Sequence, residues 1–72
     1  MSEWIPLEST TLARAAYDER LALLRLEFRS GECYTYSGVP PHVFGALLAA
    51  PSKGGFLNRS IKGHYHYVKA AG

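Results

Sequence analysis

The residues best suited to hold a ligand stand together at Ser52-Lys53-Gly54-Gly55. If Ser52 caps a helix, the two glycines leave the N–H groups of the first turn accessible, and the Lys53 ammonium adds positive charge beside them. Such a cluster of donors can bind a phosphate of a nucleic-acid backbone. The structural alternative, a capped turn in which glycine only allows close packing, is the more common arrangement. The spacing does not match a Walker A motif, so nucleotide hydrolysis finds no support.

Four tyrosines form the second candidate site. Tyr34 and Tyr36 alternate along one stretch and therefore share a strand face, as do Tyr65 and Tyr67 near the C-terminal end. Ring faces of this kind stack unpaired bases when cations lie nearby. The alternative is that the rings belong to the core. We favour the core for Tyr34 and Tyr36, because a short chain has few other large side chains; for Tyr65 and Tyr67 neither alternative is preferred.

Charge is unevenly distributed along the chain. The net charge is +2, yet all six acidic residues precede Cys33. The charged residues that follow it are all cations, namely Lys53, Arg59, Lys62 and Lys69. This asymmetry favours a polyanionic ligand, RNA above all. Four cations are few for a phosphate-binding surface, and the alternative is a basic tail that only keeps a small protein in solution.

Arg59 and Lys62 are three residues apart and would be neighbours on one polar helix face. The Arg59 guanidinium could clamp a phosphate with two hydrogen bonds. The alternatives are a solvated face or a clamp on a carboxylate of the same fold, such as Glu27, and a structural role is favoured.

Other chemistries find little support in the residue types. His64 and His66 would point the same way on a strand, but their spacing matches no standard zinc motif. Cys33 would need a histidine and a cationic setting to act as a nucleophile, and a half-buried thiol is the default. The second half holds no paired carboxylates for acid–base work. We therefore expect no catalytic residue, no metal, no cofactor and no enzymatic activity.

The stretch from Leu21 to Gly38 is the part of the fold on which the candidate side chains depend for their positions. Alternate residues from Leu24 to Phe28 are apolar, and their neighbours are mostly charged, as in a half-buried strand. Ser30-Gly31 supplies a tight turn, and Tyr34-Thr35-Tyr36 forms the return strand. The sequence therefore predicts a β-hairpin at the centre of the fold.

The remaining elements complete a small α+β domain. Residues 12–17 favour a first strand, which gives a three-stranded antiparallel meander up to Ser37. Val39-Pro40-Pro41 opens a helix over 42–50 whose apolar face should lie on the sheet. A second short helix follows Ser52 and ends at Gly63, and residues 65–68 read as a closing strand along a sheet edge.

Length and composition limit the organisation of the chain. Seventy-two residues allow one domain with a thin core, spanning 1–72 with an irregular segment at 1–8. A single cysteine favours a reducing, cytoplasmic setting. The least polar run, 43–51, is far shorter than the roughly 18 to 20 apolar residues of a membrane span. We expect a cytoplasmic protein without a membrane partner.

The combined pattern resembles the KTSC domain family. The resemblance rests on the hairpin residues Leu26–Gly31, the Tyr34-Thr35-Tyr36 triplet, Gly38-Val39-Pro40, the Ala50–Gly54 segment and Phe56–Ile61. It covers roughly residues 9–67, nearly the whole chain. The family occurs at the C-terminus of some lysyl-tRNA synthetases and as free-standing bacterial proteins. The resemblance suggests an RNA-binding role and implies no catalytic residue.

Together these features predict a non-catalytic binding module. RNA is the leading ligand class, and the expected contacts are Ser52, Lys53, Gly54, Arg59, Lys62, Tyr65, Tyr67 and Lys69. The alternative is a protein-interaction or self-associating module that buries an exposed edge strand or apolar patch in a homo-oligomer. The two differ in their response to salt, because phosphate contacts weaken steeply with ionic strength and apolar contacts do not.

Overall fold

The computed structural model describes residues 3–70. Within this range five strands form one antiparallel sheet in the order of the sequence, β1-β2-β3-β4-β5. The strands are β1 (Ile5–Pro6), β2 (Leu12–Asp18), β3 (Leu23–Phe28), β4 (Cys33–Ser37) and β5 (His66–Ala70). The helical elements lie between β4 and β5 in the chain, so the last strand returns to pair with β4 after two helices.

The hairpin of β3 and β4 follows the predicted alternation. Leu24 and Leu26 are fully buried, and Phe28 is half-buried against the core. Arg25, between the two leucines, is exposed. The turn holds Gly31 at φ +98°, a left-handed conformation that glycine adopts without strain. The period-two pattern therefore identified the buried face of the strand correctly.

Helix α1 (Pro41–Ala49) begins at a proline that needs no N–H partner in the first turn. Leu47 is fully buried, and Val43, Phe44 and Leu48 pack against the core from the same helix. The Phe44 ring stacks on Tyr17 of β2, with centroids 5.0 Å apart and planes 14° apart. This contact places the apolar face of α1 on the sheet, as its sequence predicts.

Helix α2 (Lys53–Phe56) is a single turn that continues without a break into a π-helical turn, Leu57–Ile61. Leu57 and Ile61 are fully buried and fix this segment onto the core. Gly63 follows the C-cap at φ +80°, which reverses the chain toward β5. The predicted left-handed role of this glycine is confirmed.

The α+β class is confirmed, but the sheet has five strands rather than a three-stranded meander with a possible fourth. The meander is present as β2, β3 and β4, and the predicted closing strand is β5. The additional strand is β1, which pairs Ile5 with Ala15 inside the segment expected to be irregular. It has two residues and contains a proline, so it has no period to recognise and fits only at a sheet edge.

Two arginine side chains hold the N-terminal segment against the sheet. The Arg29 guanidinium, just after β3, donates to the carbonyl oxygens of Ser9 and Leu7, each at 3.0 Å. Arg14 pairs with Glu27 across the sheet and lies over the Trp4 ring, 4.4 Å from its centroid. These contacts attach the N-terminal segment to the sheet.

Candidate nucleic-acid interface

Ser52 caps α2, as its position in the sequence predicts. Its Oγ accepts a hydrogen bond from the Gly55 N–H at 3.1 Å, and its carbonyl accepts from the Phe56 N–H at 2.9 Å. The Lys53 ammonium donates to the Ala50 carbonyl at 3.0 Å and so turns back onto the preceding loop. A Cβ on Gly54 would lie 2.9 Å from the Thr11 Oγ1, which shows how closely the two segments pack. The geometry matches the structural alternative for this motif.

An open, polar cleft of about 660 Å³ lies between this motif and the loop at 8–11. Its walls carry hydroxyl, amide and ammonium groups, and they also include the Glu8 carboxylate. A carboxylate in the same cleft opposes a phosphate. The Ser52–Gly55 motif is therefore the less favourable of the two predicted positions for an anion.

Arg59 and Lys62 are both exposed and belong to the last turn of the same helical segment and its C-cap. Neither forms an ion pair with a carboxylate anywhere in the range 3–70. The Arg59 guanidinium lies beside Gly55, 3.5 Å from the position of a Cβ there, and the Arg59 carbonyl accepts a hydrogen bond from His64 Nε2 at 3.0 Å. The intramolecular clamp on Glu27 is not formed, because Glu27 pairs with Arg14.

Lys69 differs from these two cations. Its ammonium lies 2.7 Å from the Glu32 carboxylate, so an acid of the first half neutralises it. The hydrogen bond and charge of Glu32 are the main reasons that the pKa of Lys69 is raised above its ordinary value. Lys69 therefore contributes less free positive charge to the surface than the sequence predicts.

The tyrosines divide between core and surface. Tyr36 is 1% exposed and belongs to the core, and Tyr34 and Tyr65 are half-buried against it. Tyr67 is 54% exposed. In the β4–β5 ladder Tyr67 stands opposite Tyr36, and its centroid lies 5.5 Å from that ring and 5.4 Å from the Tyr34 ring. The Tyr67 ring is thus exposed to solvent and also contacts the aromatic rings of the core.

Lys62 and Gly63 close a second, smaller pocket against these rings. The pocket has a volume of about 330 Å³ and is lined by Tyr34, Tyr36, Tyr67, Lys62 and Gly63. It lies at the C-terminal end of the helical segment, whereas the polar cleft lies at its start. Of the predicted contact residues, Ser52, Lys53 and Gly54 line the polar cleft and Lys62 and Tyr67 line the smaller pocket, whereas Arg59, Tyr65 and Lys69 line neither.

The described part of the chain brings together no group of three or more His, Cys, Asp and Glu side chains that could hold a metal ion. Cys33 is a free, half-buried thiol on β4. No helix within residues 3–70 has the length and apolar character needed to cross a bilayer.

The pocket was not predicted as a unit. The sequence identified its tyrosines and Lys62 separately, but their proximity depends on the register that places Tyr36 opposite Tyr67. That register follows from the length of the connection between β4 and β5 and from how the helices fold onto the sheet. The Tyr-x-Tyr spacing at 34–36 was an available signal, whereas of the pair at 65–67 only Tyr67 lines the pocket.

Comparison with known proteins gives a consistent result. The family model of the KTSC domain matches residues 8–65. A protein of Tsukamurella paurometabola is 43% identical over 63 residues, which cover 88% of this chain and 94% of that protein. A protein of Stutzerimonas stutzeri is 42% identical over 64 residues, which cover 88% and 90%.

Two further similarities concern a larger enzyme and a solved structure. A lysine–tRNA ligase of Nostoc punctiforme is 38% identical over 60 residues, which cover 83% of this chain but 11% of the ligase. The crystal structure of a KTSC domain protein from Yersinia pestis has a TM-score of 0.94 and 30% identity, and it covers 99% of this chain and 100% of its own.

Proposed function

The chain belongs to the KTSC domain family, and we propose that it is a non-catalytic binding module whose ligand is RNA. The proposal also places the protein in the cytoplasm, since its single cysteine suits a reducing compartment. Its contact surface consists of Arg59 and Lys62 on the helical segment and of the Tyr67 ring on β5.

One observation carries the proposal: Arg59 and Lys62 are exposed, lie on one short segment, and have no carboxylate partner within residues 3–70. Free cations attract the phosphate backbone, whereas paired cations must first give up their partner. The exposed ring of Tyr67 lies on the same pocket as Lys62. A cation beside an accessible ring is the combination that single-strand binders use.

The similarity to part of a lysine–tRNA ligase supports the same ligand class. A segment related to this chain makes up 11% of an enzyme whose name states that its substrate is a tRNA. RNA binding by such a segment would serve both the ligase and a free-standing protein. The free-standing relatives, of which this chain covers nine-tenths or more, carry no such enzyme.

A binding titration at two salt concentrations tests the proposal. Labelled single-stranded and structured RNAs should bind at low salt and bind much more weakly at high salt, because phosphate contacts release counterions. Light scattering on the same sample gives the mass of the free protein. Absence of RNA binding at low salt would contradict the proposal.

Self-association is the second candidate, and the exposure of β5 favours it. All five of its residues are exposed, Val68 by 67%, and β5 forms an open edge of the sheet. A second copy could pair antiparallel about Val68 and extend the sheet across the two chains. Light scattering should then give a dimer for the wild type and a monomer for Val68→Lys, with masses that do not change with salt. A monomeric wild type would rule this candidate out.

A further inference from the structure

We propose that the pocket of Tyr34, Tyr36, Lys62, Gly63 and Tyr67 receives one unpaired nucleobase, which stacks on the Tyr67 ring. This inference rests on the proposed RNA-binding function and adds to it a defined site and a preference for single-stranded RNA. It also assigns separate roles to the side chains around the pocket.

The Tyr67 ring is held in place yet remains accessible. It is 54% exposed, and the rings of Tyr34 and Tyr36 lie 5.4 and 5.5 Å from it at tilts of 40° and 38°. These contacts limit the rotation of Tyr67, so little conformational entropy is lost when a flat ligand stacks on it. A base therefore meets a preorganised aromatic surface.

Tyr36 supplies a polar group in the pocket. Its side chain is almost completely buried, and its hydroxyl forms no hydrogen bond with any residue from Glu3 to Ala70. No buried side-chain oxygen in that range lacks a partner, which supports access of this hydroxyl to the pocket that Tyr36 lines. A hydroxyl can donate to or accept from the edge of a base.

Lys62 and Gly63 are the other two residues that would lie beside a nucleotide in the pocket. The Lys62 ammonium is exposed and free of carboxylates among the described residues, which suits the phosphate next to a bound base. Gly63 lines the pocket without a side chain, and a Cβ there would meet no atom within 4 Å.

The size of the pocket suits a single base. Its volume of about 330 Å³ lies at the lower end of the range of roughly 300–1,000 Å³ for small-molecule pockets. The neighbouring strand position toward the end of β5 is occupied by Lys69, which stands opposite Tyr34 and pairs with Glu32. A duplex, in which the bases are stacked on each other, cannot present a free base face to Tyr67.

The test compares a short oligouridylate with the same oligonucleotide carrying abasic positions, by fluorescence anisotropy at low salt. The wild type should bind the base-bearing strand about tenfold or more tightly, as expected from the loss of one stacked base. Tyr67→Ala should lose a similar factor on the base-bearing strand and show no difference between the two strands. Tyr67→Phe should retain the difference, because it keeps the ring.

Val68→Ala is the matched control, since Val68 is exposed on the same strand with its side chain on the opposite face. It should bind both strands like the wild type, and circular dichroism should show that each variant is folded. Equal affinity of the wild type for both strands, with binding that still weakens in salt, would overturn the base pocket and leave the RNA proposal standing. Failure of both strands to bind would overturn both proposals.

Discussion

The ammonium of Lys69 lies 2.7 Å from the carboxylate of Glu32, so one cation of the basic second half is paired with an acid of the first half. The pairing arises because the β4–β5 register places the end of β5 beside the start of β4. Charge counted along the sequence therefore overstates the positive surface. Among the four cations that follow Cys33, Arg59 and Lys62 are the ones that are exposed and have no carboxylate partner within residues 3–70.

This pairing predicts unequal effects for two lysines. Lys62→Gln should weaken RNA binding more than Lys69→Gln does, because only Lys62 gives up a charge that no carboxylate already balances. Glu32→Gln should strengthen binding by releasing the Lys69 charge. Anisotropy titrations of the three variants at one low salt concentration measure these differences. Equal losses for the two lysine variants would contradict the assignment.

The close approach of Gly54 to Thr11 predicts that two helical glycines respond differently to alanine. Gly45→Ala in α1 should stabilise the protein by roughly 0.5–1 kcal/mol, because a Cβ there meets nothing within 4 Å and alanine favours the helix. Gly54→Ala should destabilise it by about 1 kcal/mol, since its Cβ would lie 2.9 Å from Thr11 Oγ1.

Urea unfolding measures both effects, and a double-mutant cycle isolates the contact. Removing the hydroxyl and methyl in Thr11→Ala should reduce the cost of Gly54→Ala. If Gly54→Ala proves as favourable as Gly45→Ala in the wild-type background, the contact between these segments is not as close as the structure describes.

Arg29 predicts a local effect on the N-terminal segment. Arg29→Lys removes the planar group that donates to both the Ser9 and the Leu7 carbonyls, so the segment should loosen although the charge is retained. Amide hydrogen exchange should show faster exchange for Leu7, whose N–H bonds the Ala13 carbonyl. Exchange at the Phe28 N–H, in the hairpin turn, should change little. Equal acceleration at both sites would indicate global destabilisation instead.

Alkaline pH should reduce stability through Tyr36. Burial raises the pKa of its hydroxyl above the ordinary value of 10.0, and the neighbouring Tyr34 and Tyr67 raise it further. The unfolded chain then ionises first, so the contribution is complete below pH of about 10 and is lost as the pH rises above it. In Tyr36→Phe the midpoint of urea unfolding should fall less steeply as the pH rises above about 10. An unchanged pH dependence in Tyr36→Phe would contradict this origin.

The local elements could be predicted from the sequence because each depends on near neighbours. The alternation through Leu24 and Leu26, the proline pair that opens α1, and Gly63 at the end of the helical segment all act within a few residues. Strand β1 could not be found in this way, because its pairing of Ile5 with Ala15 is made across the sheet.

The candidate site was less predictable for the same reason. The residue types were visible, but the partner of Lys69 and the neighbours of Tyr67 depend on the β4–β5 register. Register is decided by tertiary packing and by the connection between the two strands, which includes α1, α2 and the π-helical turn. The sequence therefore predicted the residues of the surface and not the arrangement that pairs or exposes them.

The slope of log affinity against log salt concentration tests the central claim most directly, measured for single-stranded RNA with three proteins. The double variant Arg59→Gln, Lys62→Gln should lower the slope of the wild type by about 1.4, or roughly 0.7 for each lost phosphate contact. The control Arg20→Gln, Arg25→Gln removes the same charge from two exposed arginines of the first half and should leave the slope nearly unchanged. Equal slopes for both double variants, or no RNA binding at low salt by the wild type, would contradict the account.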